Sequence, residues 1–434
     1  NPVDTEDQLT TVTTVNNNDY GITMKMIDFN NEITKFNGNN LRDSVQHGFF
    51  GGHQNNYEPG LLTTNLDAGG YPMTTGLTGK EGRSLGTLFT DMTPVNHLFI
   101  QSIYNESGYF EYDSTQNFAH LNADGSFTVY DQLAAIGTST GTTRTHGQFM
   151  PYNSIEAGQY AYDNNGKPIT NQTDVLAQEL TDLNPRKGEP LYSIPENEAD
   201  YYFGMEMSAS FTQTASGLDA WGHDIIFEFS GDDDFWLYVD GELVLDLGGV
   251  RSAMTGSVNF RTGEVKNGGK IKLLSATGTT EKSSYTLREV FESNYRTRNP
   301  GATQEEVNAY LETCFEAGST VFRDYTNHTM RMFYMERGAG ASNLHMRFNL
   351  AAVRPGSFTL SKTLSGADEA NNDLIEFPYQ IYYRIKADGG EIVRTSGIRI
   401  SYLPQIPEFD DSGTILDQVL AHLPDDLKNS KEYE

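Results

Sequence analysis

The amino-acid sequence predicts a mainly β protein: a large β domain with insertions and one notable helix, then a smaller β domain. Three observations carry this reading. Short apolar runs alternate with turn-forming clusters of Gly, Asn, Asp and Thr along most of the 434 residues, 42 of which are Gly, the pattern of short strands and many turns. Asp240-Gly241 separates two apolar runs, and Asp-Gly suits the positive φ angles of a two-residue hairpin turn. One stretch, after Thr303, holds helical spacing with a recognisable start and stop. The length exceeds what one small core fills, so two or three domains are expected.

Residues 1–18 are polar. Tyr20–Phe29 (YGITMKMIDF) reads as the first strand, and the Asn- and Gly-rich segment 30–70 as long loops. From Gly70 to Asp131 strand-like pieces alternate with turns: Phe110-Glu111-Tyr112, then Phe127–Tyr130 behind the turn Asn122-Ala123-Asp124-Gly125. Residues 132–200 read as a polar insertion with a short helical piece over Thr173–Leu183. Strands become dense from Tyr201: His223–Phe229, Phe235–Val239 and Glu242–Leu247, then Ser257–Phe260 and Glu264–Lys266 around Thr262-Gly263. Thr303 and Glu306 form a capping box. Val307, Tyr310, Leu311, Cys314 and Phe315 follow at helical spacing, and Gly318 stops the helix. Thr329–Met335 and Asn343–Leu350 close the region. Arg354-Pro355-Gly356 reads as a linker, Ser357–Leu364 and Phe377–Ile385 as β pieces of a second domain, and Thr414–His422 as a helix in the acidic tail. The expected division is therefore 1–353, with a core over 201–350 and strands and insertions over 20–200, followed by 357–434.

Thirty Lys and Arg against 59 Asp and Glu leave a formal charge of −29. That balance argues against nucleic acid and anionic membrane surfaces as partners. No apolar run reaches the roughly 18 residues that a spanning helix needs. The single cysteine, Cys314, leaves no intramolecular disulfide. It lies on the apolar face of its helix with no activating base nearby in sequence, as an inert thiol does. The nine histidines are scattered without a His-x-x-x-His pair, which argues against zinc. There is no Gly-x-Ser-x-Gly, P-loop or dinucleotide fingerprint, so an enzyme is not expected. Asp and Glu are too common for spacing to reveal a glycosidase carboxylate pair. Asn105, Asn171 and Asn327 open glycosylation sequons, which arise by chance in a chain rich in Asn and Thr.

Ser230–Gly241 is the stretch closest to chemistry. Asp232, Asp233 and Asp234 stand between two apolar β-type runs. Adjacent like charges repel unless something positive neutralises them, and a hard cation with oxygen ligands, calcium above all, is the simplest neutraliser. Successive strand-end side chains point to opposite faces. A joint grip by Asp232 and Asp233 therefore requires a bend, which a non-proline cis peptide supplies at roughly 3–4 kcal/mol. An EF-hand is excluded, because Trp236 and Leu237 fill places where that loop needs ligands and Gly. The rival reading of the triplet is a solvated acidic turn without an ion. Asp234 is a helper ligand or a solvated neighbour, Asp240 serves the hairpin turn, and Asp246 holds the Gly248-Gly249 loop or faces the site. Trp236 and Tyr238 alternate with Phe235, Leu237 and Val239, so one set faces a core while the other packs as well or stacks on a sugar ring.

The run GDDDFWLYVDGELVLDLGGV, residues 231–250, resembles the signature of the PA14 superfamily, and of its fibro-slime branch in particular. Gly256–Gly263 (GSVNFRTG), His328–Gly338 (HTMRMFYMERG) and Ser342-Asn343-Leu344 extend the resemblance over about 201–350. Upstream, the strand ending Asp28-Phe29, the turn Gly70-Tyr71-Pro72 and Gly147-Gln148-Phe149 resemble the N-terminal half of fibro-slime domains. The resemblance implies a PA14-like β-sandwich or barrel of the kind found in surface adhesins, toxins and glycosidase accessory modules. In lectin-like members two adjacent aspartates joined by a cis peptide hold a calcium ion at the tip, where the ion and nearby loops bind sugar hydroxyls. Transferred to this sequence, the aspartate pair is Asp232 and Asp233. The third side-chain ligand, usually Asn, falls at Glu336, and the carbonyls of Gly338 and Gly340 complete the shell. A glutamate at that position departs from the pattern: it adds negative charge that favours calcium and takes up space near a sugar. Asp234 and Trp236 are then the expected contacts to the ligand.

The segment from Ser357 resembles the opening of a Gram-positive pilin or Cna-B-type stalk domain, in which a lysine such as Lys362 forms an isopeptide bond to a late asparagine. The closing strand that carries that asparagine is absent here, and an ordinary surface lysine is the rival reading. Together the resemblances imply the head and first stalk piece of a calcium-dependent, cell-surface adhesin of Gram-positive type. It would be part of a longer wall-anchored protein and would recognise a carbohydrate or a surface glycoprotein. A calcium-rigidified structural module without a tip ligand, or a glycosidase-associated module, are the alternatives.

Overall fold

In the computed structural model, the described residues are 9–29, 49–50, 56–89, 91–137, 143–144, 147–155, 192–195, 199–338 and 341–350. They belong to the first of the two units into which the chain divides, Asn1–Phe358. The expected second domain over 357–434 with Lys362, the linker, the helical pieces over Thr173–Leu183 and Thr414–His422, and Gly340 lie outside the described residues.

The strands run in chain order β1 (Thr23–Asp28), β2 (Leu62–Leu66), β3 (Pro72–Thr74), β4 (Thr93–Val95), β5 (Phe110–Asp113), β6 (Phe118–Leu121), β7 (Phe127–Tyr130), β8 (Ala134–Gly137), β9 (Thr143–Arg144), β10 (Tyr192–Pro195), β11 (Phe203–Thr212), β12 (Ile226–Gly231), β13 (Asp234–Val239), β14 (Glu242–Leu247), β15 (Met254–Asn259), β16 (Glu264–Ser275), β17 (Gly278–Thr286), β18 (Asn327–Glu336) and β19 (Leu344–Phe348). Two antiparallel sheets dominate. One has eight strands in the order β3-β2-β14-β13-β18-β11-β1-β4, the other six in the order β17-β16-β15-β12-β19-β5. The protein is thus mainly β, and aromatic contacts between the two sheets form its core. Phe235 of β13 stacks on Phe229 of β12 with ring centroids 3.8 Å apart, and Leu237, Val239, Met332 and Tyr334 join the same cluster.

The alternation along β13 resolves into two cores. Trp236, Tyr238, Phe333 and Met335 point to the opposite face of the eight-stranded sheet, where Phe50, Leu61, Leu85 and Phe89 cover them. Every residue of β13 is buried as a result. Each such aromatic side chain contributes roughly 1.5–3 kcal/mol by leaving water.

The Asp240-Gly241 hairpin forms as expected, with φ of 51° and 79°. Asp240 also accepts a 2.9 Å hydrogen bond from the Thr329 amide and meets His328 Nδ1 at 2.6 Å, tying the turn to β18. Three α-helices are present among the described residues: α1 (Gln101–Ser107), α2 (Leu287–Arg298) and α3 (Gln304–Cys314). α3 carries the expected Thr303–Glu306 capping box but ends at Cys314, where Phe315 turns extended and buried; Gly318, at φ 77°, shapes the turn after it. α2 was not expected, although Thr286 and Glu289 give it a capping box of its own.

This topology gathers one end of the sandwich. β12 ends at Gly231 in the six-stranded sheet and β13 starts at Asp234 in the eight-stranded one, so Asp232-Asp233 is the crossing between sheets. β18 ends at Glu336 and β19 starts at Leu344 at the same end. Gly231 permits the crossing, because a Cβ there would lie 2.5 Å from the Asn343 carbonyl oxygen.

Candidate metal and ligand site

The three adjacent aspartates have three different surroundings. Asp232 Oδ1 accepts a short hydrogen bond from the Asn343 amide. Asp233 accepts from the Arg251 amide at 3.2 Å and the Arg337 amide at 2.9 Å. Asp234 forms a fully buried ion pair with Arg337, accepting from Nε and from Nη2 at 3.2 Å, and takes the Gly249 amide at 2.6 Å. The Arg337 guanidinium also lies 4.6 Å from the centroid of the Phe50 ring. A cation neutralising Asp234 is therefore supplied by the chain itself, 103 positions away.

The bend needed to bring Asp232 and Asp233 together comes from Asp233, at φ 59° in the left-handed region. The expected cis peptide is absent among the described residues. Both aspartates line an open cavity of 710 Å³ together with Asn56, Tyr57, Arg251, Ser252, Met254 and Gly338. Gly338 must be a glycine: a Cβ would stand 2.4 Å from Val250 Cγ1 and 3.0 Å from Asp233 Oδ2.

Glu336 lies beside them with no exposed surface. Its Oε1 accepts from the Gly338 amide at 3.2 Å, while its buried Oε2 has no hydrogen-bond donor. Burial and the charges of Asp233 and Asp232 push the Glu336 carboxyl well above the usual range. Burial raises Asp233 too, against the pull of the Arg337 amide and guanidinium. Asp232 is pushed up to about 6, chiefly by burial.

Arg251 is the second buried cation. Its Nε donates to Leu247 O at 3.1 Å and its Nη1 to Gly231 O at 2.8 Å. Its Nη2 is buried without a partner. Burial draws the guanidinium pKa down, against the pull of Asp234, Asp233 and Asp232. Four carboxylates against Arg251 and Arg337 leave a formal −4 + 2 = −2 in this cluster.

The donor set suits a hard divalent cation: oxygen atoms only, an orphaned carboxylate oxygen, and a residual double negative charge. Among the described residues no three His, Cys, Asp or Glu side chains already converge as a finished cage. Asp232, Asp233 and Glu336 would hold a cation with backbone carbonyls such as that of Gly338, and Gly340 lies outside the described residues.

Asp234 and Trp236, expected as ligand contacts, do not reach the cavity. Asp234 is fully buried against Arg337. Trp236 is fully buried, stacked on Phe50, with Nε1 donating to Asp246 Oδ1 at 3.1 Å. Asp246 in turn accepts from the amides of Gly60 at 2.6 Å and Gly248 at 3.3 Å, a loop-holding role. Burial pushes it up to about 6.

Sequence reasoning missed Arg251, Arg337, Asn343 and Asn56. Asn343 joins two of the recognised motifs, its amide binding Asp232 and its side chain donating to Gly147 O at 2.8 Å. Asn56, exposed at φ 83°, is held by its amide to Val250 O at 2.9 Å. The usable signal was the charged pair Glu336-Arg337 directly after the apolar run Met332–Met335.

At the other end of the sandwich, Thr326 Oγ1, His328 and Asp240 form a hydroxyl–imidazole–carboxylate string of 2.7 and 2.6 Å. The Thr326 hydroxyl is engaged by Arg323 O at 2.6 Å and the imidazole is stacked 3.9 Å from Phe322, an arrangement that locks the turn.

No family model matches the chain. Protein psiB of Dictyostelium discoideum is 35% identical over 104 residues, 24% of this chain and 16% of that protein. Protein psiE is 36% identical over 105 residues, and psiI 24% identical over 262 residues, covering 50% of this chain and 32% of psiI. The chain thus spans about a third or less of the length of these curated relatives. Among solved structures, a PA14 sugar-binding domain from an RTX adhesin is similar at 13% identity, over 34% of this chain and 46% of that one, with a TM-score of 0.14.

Proposed function

We propose that residues 1–353 form a calcium-dependent carbohydrate-binding module of PA14 type, a non-enzymatic adhesin head displayed outside the cell. One observation carries it above the rest: the buried Asp233–Glu336 carboxyl pair, with an oxygen lacking any donor, beside Asp232 at the edge of an open cavity. Removing calcium from such a site leaves like charges in a low dielectric, and adding it relieves them. The cavity falls within the roughly 300–1,000 Å³ of small-ligand sites, and Asn56 and Ser252 line it together with Asp232 and Asp233. Among the described residues no helix is long and apolar enough to cross a membrane. The Gram-positive, wall-anchored setting rests on the resemblance of residues 357–434 alone.

Thermal melting of the purified chain in excess calcium and then in chelator tests the reading. A ligand that binds only the folded state raises its stability. The expected result is a chelator-reversible drop in melting temperature that Asp232→Ala/Asp233→Ala abolishes, followed by calcium-dependent binding on a glycan array. No drop, with metal analysis showing an empty site, sinks the calcium reading. A drop with no glycan bound in calcium leaves the ion a purely structural part, a reading that the burial of Glu336 also favours.

A further inference from the structure

We infer that Arg251 is a built-in counter-cation that holds the affinity of the Asp232–Asp233–Glu336 site for calcium down to the range of extracellular calcium. The inference rests on the calcium reading of that site and concerns how tightly the ion is held.

Arg251 is 9% exposed, and it lines the same cavity as Asp232 and Asp233. Three carbonyls, of Leu247, Gly231 and Ser252, fix its Nε and Nη1. Nothing accepts from its buried Nη2. A buried guanidinium N–H without an acceptor is costly, and what offsets that cost here is the field of the neighbouring carboxylates. Arg337 cannot take this role for the site, since its fork is committed to Asp234.

The side chains left to face an ion are then Asp232, Asp233 and Glu336, a charge of −3, against the fixed +1 of Arg251. Calcium sites are tuned over many orders of magnitude by the charge of their ligand set and by rigidity. A cation entering beside Arg251 meets a net −2 instead of −3; the difference is its direct repulsion by the guanidinium, which a buried position screens little. Its anchors are main-chain carbonyls on two sides of the crossing, so the charge cannot swing away as a surface lysine would. The site thus becomes responsive at about 10⁻⁴–10⁻³ M calcium, the level at which extracellular modules work.

Calorimetric titration of the folded chain with calcium chloride tests this. The wild type should half-saturate at about 10⁻⁴–10⁻³ M. Arg251→Gln should bind about tenfold tighter or more, because it removes the charge. Arg251→Lys loses the same forked donors but keeps the charge, so it should gain about threefold at most. Equal shifts in the two variants, or a Gln variant no tighter than wild type, overturn the inference and leave wild-type calcium binding standing. Binding by Arg251→Gln with none by wild type upholds the role of Arg251 and instead sinks the calcium-dependent function of the natural chain. If neither binds, both readings fall together. Should both variants melt before titration, a wild-type half-saturation below about 10⁻⁶ M overturns the inference by itself.

Discussion

Asp232, Asp233 and Asp234 are adjacent and chemically identical, yet the fold assigns them three partners: the Asn343 amide, a pair of loop amides with Glu336, and the Arg337 guanidinium. Neither side chain of the Asp234–Arg337 pair has any exposed surface. Breaking such a pair from one side leaves an uncompensated buried charge, at roughly 3–5 kcal/mol. Arg337→Met should lose stability on that scale in calcium-free urea denaturation. The double variant Asp234→Asn/Arg337→Met should recover about half of the loss, since the two changes act on one interaction. A loss below about 1 kcal/mol in the single variant would show that the pair is solvated after all. Local sequence gave the triplet and its apolar flanks, and those flanks are why all three carboxylates are buried. It did not give the division of labour, because Arg251 and Arg337 stand 18 and 103 positions from the aspartates that their amides or guanidinium meet.

The elements that were legible carry their instructions within a few residues. The Asp240-Gly241 hairpin needs only two positive-φ positions, and α3 only a capping box and an apolar stripe. α2 escaped notice because its buried face includes Ser293 and Asn294, which break the stripe; Asn294 is spent on the Leu243 carbonyl at 3.0 Å and Ser293 on the Leu274 amide at 2.9 Å. β17 escaped because nearly all of it is exposed and polar, so no alternation marks it. Two glycines separate turn geometry from site geometry. At Gly241 an added Cβ meets nothing within 4 Å, so Gly241→Ala should cost only its φ of 79°, about 1 kcal/mol, and leave calcium binding intact. At Gly231 the Cβ would press on the Asn343 carbonyl, displacing the residue whose amide holds Asp232. Gly231→Ala should therefore lose calcium affinity as well as stability. Equal calcium titrations for both variants would detach the crossing from the site.

Across the whole molecule, acidity is the dominant electrostatic fact, with −29 formal charges overall and several carboxyls buried at one end of the sandwich. Asp246 is raised from 3.8 to about 6 by burial, and Asp232 likewise. A carboxyl whose folded pKa exceeds its unfolded value binds its proton more tightly in the folded state. Stability therefore falls as pH rises from 3.8 through about 6 and returns on acidification. At 1.36 kcal/mol per unit, Asp246 alone is worth on the order of 3 kcal/mol between the ends of that window. Carboxyls held low, such as half-buried Asp224 and exposed Glu306, lose their contribution only as pH falls below their ordinary values, so they do not oppose this trend between pH 7 and pH 5. In calcium-free buffer the melting temperature should thus rise by several degrees from pH 7 to pH 5. Relief of general repulsion among surface carboxylates pushes in the same direction, but it is screened by salt, with a Debye length near 3 Å at about 1 M. The buried contribution is not screened in this way, so the rise should persist in about 1 M sodium chloride. A flat profile in high salt would assign the effect to the surface and leave Asp246 unburdened. Saturating calcium should act in the opposite sense, because the ion holds Asp232 and its neighbours charged and competes with protons for the same oxygens. The gain on acidification should then shrink toward the Asp246 share. Melting curves at two pH values, with and without calcium in high salt, separate surface charge, buried carboxyl and metal site in one set of measurements.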